Sequence, residues 1–176
     1  MFNGCTSLTS APELPALTLA SECYREMFYN CSSLTQAPEL PATTLANYCY
    51  REMFYNCTSL TQAPELPATT LAYACYSNMF YYCSGLQRIK MNASSGSWGS
   101  EMFYGCNALE LVDMTGSTDV PQLENVNNFE NTNDTYKIVV PDSLYDTWIA
   151  ATNWASLAPH IMKQSDWNAA HPDDQL

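Results

Sequence analysis

Basic residues are scarce in this chain of 176 residues, where 6 Lys and Arg stand against 18 Asp and Glu. The formal net charge is −12. Nucleic acids and anionic membranes are bound through clustered cations, so this balance argues against either as a partner. Twelve of the acidic residues lie within residues 101–176, where the only Lys or Arg residues are Lys137 and Lys163. We interpret them as a solvated acidic surface.

Long apolar runs are also missing from the sequence. No stretch of about 18 apolar residues occurs, so no transmembrane helix is expected. The first ten residues, MFNGCTSLTS, lack the basic and apolar regions of a secretory signal peptide. Apolar residues nevertheless make up 47% of the chain, which is enough to predict one domain with a substantial core.

Motifs for catalysis and metal binding are absent too. The chain has no Gly-x-Ser-x-Gly, P-loop, His-Glu-x-x-His or dinucleotide fingerprint. Its two histidines, His160 and His171, lie near the C-terminus, and no Cys pair has zinc-ligand spacing. We predict that the protein is not an enzyme and uses no cofactor or metal, and we interpret His160 as a surface or interface residue.

The sequence instead repeats itself. Met-Phe occurs at positions 1, 27, 53, 79 and 102, at intervals of 26, 26, 26 and 23 residues. A cysteine follows four residues after each Met, and a leucine three residues after each cysteine. The cysteines are Cys5, Cys31, Cys57, Cys83 and Cys106. The motif APELPA begins at positions 11, 37 and 63. This period fits a solenoid coil built from one short strand plus a helix or tight turn.

The segment after each Cys-x-x-Leu predicts a strand. In LQRIKM, Ile89 and Met91 alternate with Lys90, and LELVDM shows the same alternation. The longer copies carry LTQAPEL instead, and Pro38 and Pro64 lack the N–H that a strand ladder needs. We expect a local bulge in these copies.

The segment ATTLANYCYREMF predicts a helix. Thr43 or Thr44 can cap its N-terminus, and Leu45, Cys49 and Met53 follow at helical spacing. Stacked strands lie about 4.8 Å apart, whereas helices need about 8–10 Å. The stack should therefore curve, with its strands on the concave side.

These motifs resemble the BspA-like (treponemal-type) leucine-rich repeats of bacterial surface proteins. That family is marked by Leu-x-x-Ile-x-Leu-Pro…Ala-Phe-x-x-Cys-x-x-Leu, and this chain has MFYNCTSL, MFYYCSGLQRIKM and MFYGCNALELVDM, with Met in place of the usual Ala. The resemblance covers about residues 1–115. It implies an α/β solenoid, a right-handed coil stack with short parallel strands on the concave face, helices or turns on the convex face and a C-terminal helical cap.

We predict three regions in the chain. Residues 1–115 form the repeat array, residues 116–165 form an irregular last coil, a strand and a capping helix, and residues 166–176 form a flexible tail. Pro141 should end the strand YKIVV.

The capping helix begins in DSLYDTWIAATNW, and the stretch YKIVVPDSLYDTWIAATNW resembles the segment that closes such arrays. Asp142 or Ser143 is the predicted N-cap. Trp148 and Trp154 are interpreted as core packing rather than as a platform for sugars, and Ile161 continues the apolar face of the helix.

The eight cysteines form two columns of odd size, so neither column can pair off completely. The second column is Cys23, Cys49 and Cys75, with Trp98 at the equivalent position of the next copy. On a helix, eight residues between cysteines correspond to about 12 Å, beyond the roughly 4.4–6.8 Å that a disulfide bridges. We interpret the columns as buried free thiols that pack as small apolar groups, with disulfides as the alternative.

Repeated polar and aromatic residues supply the candidate binding surface. Glu13, Glu39 and Glu65 could form a solvent-facing row across neighbouring strands, and repeated tyrosines could pack on each other or form a recognition surface. The candidate residues are Glu13, Gln36, Glu39, Gln62, Glu65, Tyr50, Tyr55 and Tyr81.

Two functions fit this reading. The first is a non-enzymatic interaction or adhesion module at the bacterial cell surface, with a protein or glycan partner. The second is a structural or receptor-binding component of a virion or other assembly, in a virion or cytoplasmic location. The chain opens inside a repeat with no cap before it. It could be cut from a longer protein, its gene model could start late, or its first repeat could dock on a missing domain or another subunit.

Overall fold

Four short parallel strands form the sheet of this protein in a computed structural model that describes all 176 residues. The strands are β1 (Arg88–Lys90), β2 (Leu111–Asp113), β3 (Lys137–Val140) and β4 (Ile161–Lys163), adjacent in chain order. β1 and β2 lie where the alternating patterns predicted them. β3 is the predicted strand YKIVV, and it ends directly before Pro141. The inner row of the sheet, Ile89, Val112, Ile138 and Ile161, is buried.

The parallel register continues towards the N-terminus as isolated bridges rather than strands. Gln62 pairs with Arg88, 26 residues later, whereas Leu66 pairs with Met91, 25 residues later. The longer copy therefore holds one extra residue between these bridges, next to Pro64, which confirms the predicted bulge. Successive copies thus align residue by residue in a parallel repeat structure. Its handedness and curvature stay predictions.

The segments predicted as helices are ladders of tight turns, so that prediction is wrong. Along each segment two kinds of hydrogen bond alternate. One N–H donates to the carbonyl three residues back, and the next N–H donates to a carbonyl of the following repeat. Met53 N donates to Tyr50 O at 3.1 Å, and Phe54 N donates to Met79 O at 2.9 Å. Every fourth residue has a positive φ, as at Glu52 (57°) and Asn56 (56°). In a helix, all these N–H groups would donate to carbonyls of the same segment.

This arrangement brings successive repeats closer than helices could pack. Phe2, Phe28, Phe54, Phe80, Phe103 and Phe129 form a column with ring centroids 5.4–6.0 Å apart. Helix axes would stand about 8–10 Å apart. The column continues through Tyr136 to His160, whose ring lies 4.1 Å from that of Tyr136. His160 therefore takes part in packing. The predicted N-cap at Thr43 or Thr44 fails with the helix, since Thr44 forms a bridge to Thr18.

The predicted capping helix is broken into three pieces. They are a 3₁₀ turn at Asp142–Leu144, α1 at Tyr145–Ala150 and a 3₁₀ helix at Trp154–His160. Asn153 separates the last two with a φ of 65°, and its Nδ2 donates to the carbonyls of Leu123 (2.7 Å) and Glu124 (2.9 Å). None of the chain's helices is long and apolar enough to cross a membrane.

Details of the predicted cap also differ from the structure. The N-cap of α1 is Leu144, and Asp142 Oδ1 instead accepts a hydrogen bond from Ser165 N at 3.0 Å. Ile161 begins β4 rather than extending a helix. The core role of Trp148 and Trp154 is confirmed, because both are almost fully buried.

At the other end, the first repeat is open. Met1 is 95% exposed and Leu17 is 62% exposed. Docking of this repeat on a missing domain or another subunit, one of three explanations considered above, stays a prediction.

Candidate functional site

The three APELP segments lie side by side and form an open depression that we call the proline groove. Its larger part, about 940 Å³, lies between residues 35–41 and residues 61–67. A second hollow of about 470 Å³ involves residues 11–15 and shares Pro38, Glu39 and Pro41 with the first. The groove therefore crosses three successive repeats.

The chemistry of the segment explains why the groove is open. Proline supplies no N–H, and the bulge shifts the register, so strand pairing is lost here. No backbone hydrogen bond starts or ends within residues 37–43. The same is true of residues 12–16, whereas in the third copy Ala63 N and Leu66 N donate to the carbonyls of Arg88 and Lys90. The main-chain groups of residues 37–43 are therefore left for water or for a partner.

Five predicted site residues meet at the groove. Glu13, Gln36, Glu39, Gln62 and Glu65 line its hollows, and all are exposed. The nearest cation is Lys90, whose Nζ lies 3.9 Å from Glu65 Oε1. Both side chains of that pair are about half exposed, at 50% and 54%, so the pair is weak.

The C-terminal part of the same strand face is covered by the chain itself. Residues 164–170 form α2 (Gln164–Ala170), and Trp167 is buried against Leu111 and Val139. Residues 166–176 were expected to be a flexible tail. In the structure they pack instead, because Trp167 finds an apolar strand face.

Hydrogen bonds and one ion pair hold the rest of this tail. Trp167 Nε1 donates to Asp174 O at 2.9 Å, and Leu176 N donates to Asn168 Oδ1 at 2.9 Å. Asp174 Oδ2 lies 2.6 Å from Arg88 Nη1. Leu176 lines a small hollow of about 240 Å³ together with Gln62 and Glu65, so the tail ends where the proline groove begins.

Tyr50 is not part of a surface site. It is 2% exposed and stacks between Tyr24 and Tyr76, with centroids 5.8 and 6.0 Å apart. Burial raises the pKa of the Tyr50 hydroxyl above its ordinary range. The candidate role of Tyr50 in partner binding is therefore wrong, and its self-packing alternative holds.

Tyr55 and Tyr81 belong to a second stack and do not line the groove. Tyr29, Tyr55, Tyr81 and Tyr104 follow each other with centroids 4.5–4.8 Å apart, and each ring is half-buried. Burial, followed by the nearby tyrosines, raises the pKa of Tyr55 to about 12. The Tyr55 hydroxyl therefore stays protonated at neutral pH.

The first cysteine column has a role that the sequence did not reveal. The thiols of Cys31, Cys57, Cys83 and Cys106 donate to the carbonyls of Phe2, Phe28, Phe54 and Phe80 in the preceding repeats, at 2.9–3.1 Å. Each thiol thus satisfies a carbonyl while filling a small space. Burial raises the pKa of Cys57 to about 12 and that of Cys83 well above its ordinary value.

Burial was predicted for all eight cysteines, and six are buried. Cys5 and Cys23, both in the first repeat, are exposed, so the burial predicted for these two is wrong. No group of three or more His, Cys, Asp or Glu side chains is placed to hold a metal ion.

Comparison with known proteins identifies the repeat type. The family model described as "BspA type Leucine rich repeat region (6 copies)" matches residues 21–147. The match runs past residue 115 and includes β3, which pairs with β2 in the same register as β2 with β1. No curated protein and no solved structure matches the chain.

Proposed function

Because the chain belongs to the BspA-type leucine-rich repeat family, whose repeats generally mediate protein interaction, we propose that it binds a protein partner in the proline groove. The module is typically non-enzymatic in this family. We further propose an adhesive role on a bacterial cell surface, which the family resemblance supports.

The observation that carries this proposal is the contrast along one strand face. Where the outer residues are apolar, as at Leu111, the chain covers them with its own α2. Where they are Glu, Gln and Pro, the face is open and its main-chain groups at residues 37–43 are unpaired. Unpaired main-chain groups are a recognised basis for holding an extended peptide.

The lining of the groove favours a protein over a glycan. It consists of Pro, Ala, Leu, Thr, Glu and Gln, without an aromatic ring on which a sugar could stack. The aromatic columns lie in the core or in the separate tyrosine stack. A polypeptide can use both the apolar floor and the free main-chain groups.

Selection from a random peptide library tests this function. Peptides enriched on the intact protein should lose binding to Gln62→Trp, which fills the groove from an exposed position. The matched control is Asn107→Trp, which places the same ring at an exposed polar position outside the groove. Enriched peptides that bind both variants equally would show that another face is used, and a failure to enrich any peptide would contradict the proposal.

A further inference from the structure

The proline groove has an uncompensated charge of one sign. Glu13, Glu39 and Glu65 occupy equivalent positions in three successive repeats and are exposed. Glu13 and Glu39 have no ion-pair partner, and Glu65 has only Lys90 at 3.9 Å. Because these glutamates recur in successive copies and line the same groove, their like charges form a row and repel each other. A cationic occupant would relieve this repulsion.

In the covered part of the same face, the chain pairs a basic strand residue with an acidic residue of its own tail. The strand position is basic at Arg88, and the segment lying over it brings Asp174 to 2.6 Å. The tail therefore brings an acidic residue to the basic strand position. Because Leu176 and Glu65 line one hollow, the open and covered parts form one continuous face.

The backbone favours an extended occupant. Residues 37–43 make no backbone hydrogen bond, and an extended chain has free N–H and C=O groups to offer them. A helix has already satisfied its own main-chain groups. An extended segment that pairs with residues 37–43 crosses the glutamate row at Glu39, and long Arg or Lys side chains extend from it towards the glutamates of the two neighbouring repeats.

We propose that the occupant of the proline groove is an extended segment of the partner protein that carries Arg or Lys at intervals and small apolar residues between them. Its cations meet Glu13, Glu39 and Glu65, and its apolar residues lie on the proline and alanine floor. This inference rests on the proposed function, since it names the chemistry of the partner at that same site.

Three fluorescent peptides test the charge of the occupant. They consist of the triplets Arg-Pro-Val, Gln-Pro-Val or Glu-Pro-Val, each repeated four times. The peptides differ only in the first residue of each triplet, and proline keeps all three from forming a helix. Fluorescence anisotropy should show the Arg peptide binding about tenfold more tightly than the Gln peptide. The Glu peptide should not bind, and added salt should weaken the Arg peptide.

Charge-matched variants separate the groove from the overall acidity of the protein. Replacing Glu13, Glu39 and Glu65 by Gln should weaken the Arg peptide about five- to tenfold. The control carries Glu124→Gln, Glu130→Gln and Asp134→Asn, three exposed residues outside the groove, and should change affinity by less than about twofold. Circular dichroism checks that both variants fold.

Three results of these binding measurements would overturn the proposed occupant. Equal weakening by the two variants would reduce the effect to net charge and overturn the proposal. A Gln peptide that binds as well as the Arg peptide would also overturn it, while leaving groove binding itself intact. If none of the three peptides binds, the proposed occupant is wrong, and library-selected peptides blocked by Gln62→Trp would still support the wider function.

Discussion

The two parts of the outer strand face differ in what covers them. Around β2 and β3 the outer residues include Leu111 and Val139, and the chain buries them under Trp167. In the proline groove the corresponding outer positions hold Glu, Gln and Pro, and nothing in the chain covers them. The interior is shared, because the phenylalanine column runs through both parts.

This difference shows how one repeat can serve either packing or recognition. Parallel strands are usually buried on both faces, and β2 follows that rule with all three of its residues buried. The proline copies depart from it by giving up strand pairing. Proline and charge also protect an open sheet from unwanted association with other strands. The face can therefore stay open without an apolar surface that needs a cover.

Alkaline pH should destabilise the repeats that carry the groove more than any single substitution. Burial raises the pKa of Cys57 and Cys75 to about 12, against an ordinary value near 9, and raises that of Cys83 well above its ordinary value. Between these values the unfolded chain loses thiol protons that the folded chain keeps. The stabilisation is thus fully present below about pH 8.5 and is lost as pH rises towards 12.

The loss should be about 1.4 kcal/mol per pH unit for each buried thiol. Urea unfolding under reducing conditions at several pH values from neutral to about 10 measures it. All six buried cysteines lie within residues 31–106, so this loss of stability originates in the repeats. An unfolding midpoint that stays constant over this range would contradict the inferred burial of the thiols.

Phe54→Ala should be the most damaging single substitution in the comparison. Phe54 is fully buried and stacks between Phe28 and Phe80 at 5.6 and 5.5 Å. Truncating such a ring costs about 3–5 kcal/mol. Phe54→Leu is the matched control and should cost clearly less, since it preserves much of the apolar volume.

The four tryptophans, which lie between residues 98 and 167, make this test informative about both parts. If the column couples the parts, tryptophan fluorescence and circular dichroism of Phe54→Ala will give the same urea midpoint. Two separate midpoints would show that the groove repeats and the covered part unfold as independent units.

Sequence periodicity predicted the features that recur at equivalent positions of successive repeats. Once copies align, one residue fixes a whole column, and the strands at Ile89 and Val112, the bulge and the glutamate row all follow from that alignment. The same logic favoured packing for the cysteines, because Trp98 replaces one of them and is itself fully buried.

The turn ladder could not be separated from a helix by its apolar spacing. Leu45, Cys49, Met53 and Cys57 recur every four residues, close to the 3.6 of a helix. The turn ladder has a true period of four, as the positive φ values at Glu52 and Asn56 show. One signal was present in the sequence. Asn or Gly precedes four of the five cysteines in the first column, and these residue types tolerate positive φ.

The covered face depends on contacts far apart in sequence. Trp167 lies in a polar stretch, DWNAAHPDDQL, which by composition favours a frayed end. Its partners Leu111 and Val139 come from two different repeats. Local patterns therefore located the groove residues but not the segment that limits the groove.

Trp167→Ala should open the covered part without unfolding the repeats. It removes the main apolar contact of α2 with Leu111 and Val139 and should cost the docked segment about 2–3 kcal/mol. Hydrogen exchange should rise sharply in residues 164–176 and little elsewhere. Trp167→Phe, which keeps an aromatic ring, should retain most of the protection. A drop in the global urea midpoint as large as that of Phe54→Ala would mean that α2 is integral to the whole fold.

Asp174→Asn should give the smallest effect, because its ion pair with Arg88 is partly solvated, with side chains 40% and 35% exposed. Such pairs contribute about 0.2–1 kcal/mol. Hydrogen exchange of the Leu176 amide should increase slightly, and less so at high salt, with Asp173→Asn as the exposed control. The released Arg88 lies in the same hollow as Glu65, so it should also weaken the Arg peptide by about twofold at most. Stronger binding of that peptide by Asp174→Asn would mean that the tail competes for the groove rather than bounding it.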